Sequence, residues 1–112
     1  MPDVLFVYGS LRSEFDNPHA LFLRANAESV GRATVRGSLF LVGKYPGYLR
    51  EPDGIVLGEF WRLRNPETTL AALDDYEGSE YSRVLNGNAW IYLYAGDVRP
   101  EQRIPSGDFL AR

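Results

Sequence analysis

The sequence predicts an α+β fold with a barrel core, in which a small barrel or strongly coiled sheet carries two short helices. Four segments rich in β-branched and aromatic residues predict strands, and two Asn-Pro pairs predict helix starts. With 112 residues and 45% hydrophobic content, the chain is long enough for one compact core and too short for two. We therefore expect a single domain over residues 1–112.

Each predicted helix begins at an Asn-Pro pair. An Asn side chain can cap the free N–H groups of a first turn, and Pro fits there because it lacks an N–H. The helices are predicted at residues 18–25, after Asn17, and 66–76, after Asn65. One face of the second carries apolar side chains at helical spacing, namely Leu70, Leu73 and Tyr76. Gly78 is its predicted C-terminal stop, and Asp74 is expected to face water.

The strands are recognised by alternation of apolar and polar residues and by β-branched or aromatic content. They are predicted at residues 4–8, 29–42, 55–63 and 89–95. Gly37 interrupts the second of these and predicts a bulge or a bend. The pair Asn86-Gly87 is a strong tight-turn signal.

Composition and charge disfavour several classes of partner and binding site. The net charge of −3 disfavours nucleic acid as the partner, because a phosphate backbone demands a basic face. There is no cysteine and His19 is the only histidine, so we expect no metal site and a structural or exposed His19. No stretch has the pattern of a signal peptide or the length of a membrane span. We expect a soluble cytoplasmic protein without a membrane partner.

Two motifs predict a site for chemistry. An apolar strand runs into the Gly9-Ser10 turn, where backbone N–H groups can face a ligand. Glu77 stands where the second helix ends. Taken singly, such features are usually a plain turn and a solvated carboxylate.

Six motifs occur together in one order along the chain. They are Tyr8-Gly9-Ser10-Leu11, Tyr45-Pro46-Gly47, Val56-Leu57-Gly58-Glu59, Leu73-Asp74-Asp75-Tyr76-Glu77-Gly78 with Tyr81 and Arg83, Ala89-Trp90-Ile91-Tyr92, and Ser106-Gly107-Asp108-Phe109. This pattern resembles the gamma-glutamyl cyclotransferase-like superfamily over nearly the whole chain. The resemblance implies a small mixed β-barrel with short flanking helices, a substrate cavity at one end, and no metal or organic cofactor.

Enzymes of that superfamily release 5-oxoproline from small gamma-glutamyl compounds. The resemblance implies that Glu77 is the general acid/base, and that Tyr8, Gly9, Ser10 and Leu11 form the substrate-binding loop. It also implies that the Tyr81 hydroxyl orients Glu77 or the substrate. Because an ordinary Glu, with a pKa of about 4.3, is a weak base, burial is expected to raise its pKa toward ~6 to 7.

Other charged residues receive structural interpretations. Asp74 and Asp75 beside Glu77 resemble a carboxylate pair, but neighbouring helical residues diverge and most acidic clusters are solvated. Glu59 lies in a strand and is interpreted as a buried partner for an arginine such as Arg83.

One question about function and one about structure stay open, each with two alternatives. The chain is either an active cyclotransferase or a non-catalytic barrel that binds a small ligand. Residues 85–88 are shorter than in relatives, which predicts either a trimmed hairpin or a missing stretch. The motifs address only the glutamyl half of a substrate, so the leaving amine and the oligomeric state are left open.

Overall fold

The computed structural model describes residues 2–112 and confirms an α+β fold. Within these residues, eight strands form one sheet, accompanied by two α-helices and two short 3₁₀ helices at Pro100–Gln102 and Phe109–Ala111. In chain order the main elements are β1 (Val4–Val7), α1 (Pro18–Asn26), β2 (Ala27–Arg36), β3 (Ser38–Val42), β4 (Tyr45–Leu49), β5 (Ile55–Leu63), α2 (Pro66–Glu77), β6 (Tyr81–Asn86), β7 (Ala89–Tyr94) and β8 (Arg103–Ile104). Neither α-helix of this described part is long and apolar enough to cross a membrane.

The sheet is strongly coiled and forms a half-barrel. Its hydrogen-bonded order is β2-β5-β1-β7-β4-β3-β8, and over the described residues this path does not return to β2. β6 lies outside the path and pairs with β7 along the whole of β7. A strand has only two edges, so β1 and β4 share the other edge of β7. β1 pairs in parallel with Ala89 and Trp90, whereas β4 pairs in parallel with Leu93, and the two strands diverge between these positions.

Alternate side chains of β1 pack into two apolar clusters, because successive residues of a strand point to opposite faces. Leu5 and Val7 enter the cluster that includes α1 and α2, while Phe6 and Tyr8 enter the other. The predicted apolar face of α2 is confirmed, since Leu70 and Leu73 are fully buried and Tyr76 packs against the same cluster. Each buried leucine contributes roughly 1.5–3 kcal/mol. This packing fixes α2 over the sheet.

The helix starts differ from each other. Asn17 caps α1 as predicted, because its Oδ1 accepts hydrogen bonds from the N–H groups of His19 and Ala20 at 3.1 and 2.9 Å. The predicted cap at Asn65 is wrong, since its side chain makes no capping hydrogen bond. Asn65 has φ −127° and ψ 79°, outside the extended conformation from which a side chain reaches the first turn. Both helices end one residue beyond the prediction.

Three predicted strands are confirmed, with ends that differ by at most one residue. The prediction of one strand over residues 29–42 is wrong, because β2 and β3 are separate and meet at Gly37. Gly37 has φ 150°, and a Cβ there would collide with the ring of Tyr48. The predicted bend at Gly37 is confirmed, and a separate bulge lies at the register shift between Ser29 and Gly31.

The β6–β7 hairpin has the form that the trimmed-hairpin alternative predicts for residues 85–88. Asn86 pairs with Ala89, and Gly87 in the turn has φ 64°, a conformation that glycine adopts at low energy. The trimmed hairpin is therefore the observed alternative. β6 itself was not among the predicted strands.

Candidate active site

A pocket of about 320 Å³ opens at the point where β1 and β4 diverge. Its walls come from the end of β1 and the following turn, the β3–β4 hairpin, the last turn of α2, the start of β6, and β7. All six residues selected from the sequence line it: Tyr8, Gly9, Ser10, Leu11, Glu77 and Tyr81. Residues that are 66 or more positions apart in the chain thus face one cavity.

The turn after β1 carries backbone donors. The Arg12 N–H donates to the Gly9 carbonyl oxygen at 3.0 Å, which closes a four-residue turn with Ser10 and Leu11 at its centre. Within residues 2–112, the Ser10 and Leu11 N–H groups donate no hydrogen bond to the protein. A Cβ on Gly9 would lie 2.8 Å from Cγ of Pro46, so this close approach requires glycine. The turn therefore combines two free N–H groups with a tightly packed backbone.

Polar side chains hold this turn in place from outside the pocket. Asn17, the cap of α1, also donates from its Nδ2 to the Ser10 carbonyl oxygen at 2.8 Å. The buried Arg12 guanidinium forms ion pairs with Glu14 at 3.0 Å and Asp108 at 2.7 Å. Because these partners come from separate parts of the chain, the turn is anchored independently of any ligand.

Glu59 has the structural role predicted for it, but with different partners. Its buried carboxylate accepts hydrogen bonds from the Ser13 N–H at 2.8 Å, from the Ser13 hydroxyl, and from Trp61 Nε1 at 3.1 Å. The predicted pairing with Arg83 is wrong, because the Arg83 guanidinium binds Asp74. Glu59 thus fixes the segment that follows the Gly9–Arg12 turn.

The Tyr8 ring forms part of the pocket wall, and its hydroxyl is engaged. It donates to the Tyr92 carbonyl oxygen at 2.7 Å, in the stretch of β7 between the residues paired with β1 and β4. Burial raises the pKa of Tyr8 well above its ordinary value, so the hydroxyl stays protonated. The Tyr8 side chain therefore hydrogen-bonds to β7 at the point where β1 and β4 separate.

A hydrogen bond between Ser10 and Tyr76 joins the Gly9–Arg12 turn to α2. Ser10 Oγ and the Tyr76 hydroxyl are 2.8 Å apart and share a hydrogen bond. On its other side Tyr76 stacks against His19, with ring centroids 3.7 Å apart and planes at 19°. His19 thus packs on an aromatic wall residue, and no group of three potential metal ligands occurs among residues 2–112.

Glu77 is the last residue of α2 and projects from a fixed helix end. Gly78 terminates the helix as predicted, with φ 81° and its N–H donating to the Asp74 carbonyl oxygen at 3.1 Å. Burial among the pocket walls raises the pKa of Glu77 to about 7, and the charge of Asp74 adds to this effect. A carboxyl group with this pKa exchanges protons readily near neutral pH.

The Tyr81 hydroxyl does not bind Glu77. It donates to the Pro46 carbonyl oxygen at 2.9 Å and thereby joins the start of β6 to the β3–β4 hairpin. Burial and the nearby Glu77 charge both raise the pKa of Tyr81, so the ring and the carboxyl group lie close together. Of the two expected roles for this hydroxyl, orienting Glu77 or orienting the substrate, the first is not observed and the second stays a prediction, while Tyr81 lies in the pocket wall.

Asp74 also differs from its prediction. Instead of simply facing water, its carboxylate accepts hydrogen bonds from Arg83 and from the Tyr92 hydroxyl. These donors lower the pKa of Asp74 in spite of partial burial, so its charge is retained. Asp75, by contrast, is exposed.

Eight wall residues are not among the six site residues selected from the sequence: Phe6, Val7, Val42, Tyr45, Pro46, Tyr76, Glu80 and Tyr92. Tyr45 and Pro46 belong to one of the six recognised motifs, so a signal for them was present. Glu80 directly precedes Tyr81, but no charge pattern distinguished it from a solvated residue. With Glu77 it gives the wall two carboxyl groups, and the described lining includes no Lys, Arg or His.

Solved structures with the same architecture come from bacteria, archaea and mouse. An uncharacterized protein from Pyrococcus horikoshii has a TM-score of 0.76 at 23% identity, covering 96% of this chain and 89% of that one. The solution structure of ytfP from Escherichia coli has a TM-score of 0.68 at 37% identity, covering 96% of both chains. An aig2-like protein from Mus musculus has a TM-score of 0.62 at 27% identity, over 89% and 81% of the two chains.

Two curated relatives and one family model match the sequence of this chain over nearly its whole length. The gamma-glutamylcyclotransferase family protein YtfP of Escherichia coli K12 is 39% identical over 115 residues, covering 96% of each chain. Its counterpart in Citrobacter rodentium is 38% identical over 115 residues, with the same coverage. The sequence model of the family described as "Gamma-glutamyl cyclotransferase, AIG2-like" matches residues 5–111. With a pocket that combines a helix-end carboxyl group and a free backbone turn, the chain belongs to the gamma-glutamyl cyclotransferase, AIG2-like family.

Proposed function

We propose that this protein is an active gamma-glutamyl cyclotransferase that uses Glu77 as its general acid/base. Its substrate is a small gamma-glutamyl amide, and its products are 5-oxoproline and a free amine or amino acid. The observation that carries the proposal is the position of Glu77, whose pKa is raised to about 7 in the same pocket as the Gly9–Leu11 backbone. A non-catalytic barrel has no need for a carboxyl group held at this pKa.

The reaction needs one proton carrier. The substrate α-ammonium gives a proton to the Glu77 carboxylate, and the resulting amine attacks the γ-carbonyl carbon to form the lactam C–N bond. As the tetrahedral intermediate collapses, Glu77 gives this proton to the leaving nitrogen and the original amide C–N bond breaks. The Glu77 carboxylate then accepts the second proton, from the ring nitrogen, and passes it to the released amine, which leaves as an ammonium ion. The Glu77 carboxylate is regenerated, so no cofactor or co-reactant enters the balance.

The Gly9–Arg12 turn, which we call the binding turn, supplies the hydrogen-bond donors for this chemistry. The free N–H groups of Ser10 and Leu11 can stabilise the developing oxyanion or bind the substrate α-carboxylate. Because Arg12 and Asn17 hold the turn in place, these donors need little rearrangement when the charge develops. Holding the amine over the carbonyl can contribute on the order of 7 to 11 kcal/mol, the range for well-oriented intramolecular reactions.

The aromatic walls exclude water from the reacting groups. Tyr8, Tyr76 and Tyr81 surround the carboxyl end of α2, and each has its hydroxyl hydrogen-bonded to protein. Removing water strengthens the interactions of the turn with a developing negative charge. The same removal raises the proton affinity of Glu77, which makes it an effective base near neutral pH.

The proposal is tested by measuring 5-oxoproline release with mass spectrometry from gamma-glutamyl amino acids, gamma-glutamyl amines and glutathione. Glu77→Gln keeps the shape of the side chain and removes the base, so release should fall at least ~10²-fold. Glu67→Gln is the matched control, because Glu67 is exposed in the first turn of the same helix. It should retain wild-type rates.

A different result would favour a binding protein. If the folded wild type releases no 5-oxoproline from any compound, yet 5-oxoproline or a gamma-glutamyl amide binds and raises the melting temperature, the cyclotransferase assignment fails. Equal release by the wild type and Glu77→Gln would instead leave the reaction in place and remove Glu77 from it.

A further inference from the structure

A polar cluster beside Glu77 takes no direct part in the proposed reaction. We define the Asp74 cluster as Asp74, Arg83, Tyr92 and Trp90. The Arg83 Nε and Nη2 donate to the two carboxylate oxygens of Asp74 at 2.8 and 3.1 Å, and the Tyr92 hydroxyl donates to Asp74 Oδ1 at 2.7 Å. The Arg83 guanidinium also lies over the Trp90 ring, 4.3 Å from its centroid.

The cluster joins α2 to the β6–β7 hairpin. Asp74 lies three residues before Glu77, so the two side chains are neighbours on the surface of the last helical turn. Its bidentate pairing with Arg83 restricts both position and orientation more strongly than a single contact. The cluster members Asp74, Arg83 and Tyr92 also line a second pocket, which shares Tyr81 and Tyr92 with the pocket that contains Glu77. It therefore lies directly beside Glu77.

Tyr92 gives the cluster a further connection. Its side chain hydroxyl binds Asp74 on α2, while its carbonyl oxygen accepts the hydrogen bond from Tyr8 at the end of β1. One residue of β7 is thus bonded to both segments that build the site. Movement of α2 relative to the binding turn would break at least one of these hydrogen bonds.

We propose that Asp74 is a positioning residue for Glu77: clamped by Arg83 and Tyr92, it fixes the last turn of α2 and presents a permanent negative charge beside the reacting carboxyl group. This inference rests on the proposed role of Glu77. Asp74 touches no reacting atom and acts only through Glu77. The negative charge disfavours the Glu77 carboxylate and so supports its readiness to hold a proton.

The other groups near Glu77 carry less of this effect. Those that line its pocket on the surrounding elements are Tyr8 just after β1, Tyr45 on β4, Tyr76 on α2, Glu80 in the connection after α2, Tyr81 on β6 and Tyr92 on β7. Arg83 on β6 binds Asp74. An ordinary tyrosine is uncharged near neutral pH because its pKa is about 10, and burial raises the pKa of Tyr8, Tyr76, Tyr81 and Tyr92 further. Glu80 is exposed and screened by solvent. Asp74 and Arg83 are the charges fixed by mutual contact.

The test is a direct titration of Glu77 by NMR, using protein with ¹³C-labelled glutamate carboxyl groups. The Glu77 signal is identified by its absence in Glu77→Gln. Asp74→Asn keeps an oxygen acceptor but removes the charge, so the Glu77 midpoint should move down by about 0.5 to 1 pH unit. Asp75→Asn is the matched control, because it makes the same change at the next, exposed position of the helix, and it should move the midpoint by less than about 0.2 unit.

A second variant distinguishes charge from general disturbance. Arg83→Gln keeps a donor for Asp74 but leaves its negative charge uncompensated, so the Glu77 midpoint should move upward. Shifts of opposite sign in Asp74→Asn and Arg83→Gln support the proposal, since a loosened pocket would change hydration in the same direction in both. Equal shifts in Asp74→Asn and Asp75→Asn, or an unmoved midpoint in both Asp74→Asn and Arg83→Gln, would overturn it.

The kinetic consequence is separate from the titration. In the active enzyme, the acidic limb of the kcat/KM profile should move with the NMR midpoint of each variant. Because the NMR titration needs no substrate, a protein without cyclotransferase activity would still show whether Asp74 controls Glu77. Failure of the inference and failure of the proposed function are thus distinguishable.

Discussion

The Tyr8 hydroxyl donates to the Tyr92 carbonyl oxygen at 2.7 Å, at the point where β1 leaves β7 and β4 has not yet joined it. Strand divergence opens the pocket, and at the same time it deprives β7 of neighbouring backbone donors. The side chain of Tyr8, the residue after β1, supplies the missing hydrogen bond. The cavity and the stability of the sheet around it therefore depend on the same residue.

Removing this hydroxyl should destabilise the protein. In Tyr8→Phe, the buried Tyr92 carbonyl oxygen loses its donor, which costs about 1–3 kcal/mol. The free energy of unfolding in urea measures the loss. Tyr45→Phe makes the same change on a ring that is 53% exposed, and it should cost less than about 0.5 kcal/mol. Equal stability of Tyr8→Phe and the wild type would refute the role given to this hydrogen bond.

The contact between Gly9 and Pro46 should limit substitution in the binding turn. Gly9→Ala places a Cβ 2.8 Å from Pro46 Cγ, so the turn must shift. We expect a stability loss of about 1–3 kcal/mol and a fall in kcat/KM of up to ~10²-fold, because small displacements of positioning groups are costly. Pro46→Ala in the same chain should restore part of both losses. A double-mutant coupling energy near zero would show that the contact is not the cause.

The charge of the pocket predicts a preference among leaving groups. Glu77 and Glu80 line the pocket, and its described lining holds no basic side chain. A gamma-glutamyl diamine, whose leaving group carries a cation, should therefore react with a higher kcat/KM than a gamma-glutamyl amino acid. Glu80→Gln should reduce this ratio roughly 3- to 10-fold, the value of an exposed charge pair of about 1 kcal/mol. An unchanged ratio would remove Glu80 from substrate selection.

Glu77 should make the stability of the fold depend on pH. Its pKa is about 7 in the folded protein against an ordinary value of 4.5, so the folded state binds this proton more tightly. Stability from this group is fully present below pH ~4.5 and is lost as the pH rises to ~7, by on the order of 2–3 kcal/mol. Urea unfolding at pH 5 and pH 8 should show a smaller decline in Glu77→Gln than in the wild type. The control Glu67→Gln should decline as the wild type does.

The parts of the fold that could be predicted are those with a strong local signal. Alternating apolar and polar residues predicted both ends of β5 correctly. Asn17 indicated the start of α1 because its side chain caps the first turn of that helix. β4 was missed because Pro46 and Gly47 are unfavourable in a strand interior. Gly47 is required by a partner distant in sequence, since a Cβ there would lie 2.9 Å from the Tyr94 ring.

The site could be predicted in its members but less well in its contacts. Glu77 and the residues of the binding turn were recognisable as motifs, and the fold places them around one pocket. The partners of Glu59, Tyr81 and Asp74 could not be inferred, because each is brought near by sheet topology rather than by spacing in the chain.

The central claim is that Glu77 is the proton carrier of a cyclotransferase. The most direct measurement is the pH dependence of kcat/KM for 5-oxoproline release by the wild type and Glu77→Gln. The account predicts an acidic limb with a midpoint near pH 7, matching the pKa of about 7 for Glu77, and at least ~10²-fold lower release throughout in the variant. A limb near pH 4 to 5, or a profile that persists at wild-type rates in Glu77→Gln, would contradict it.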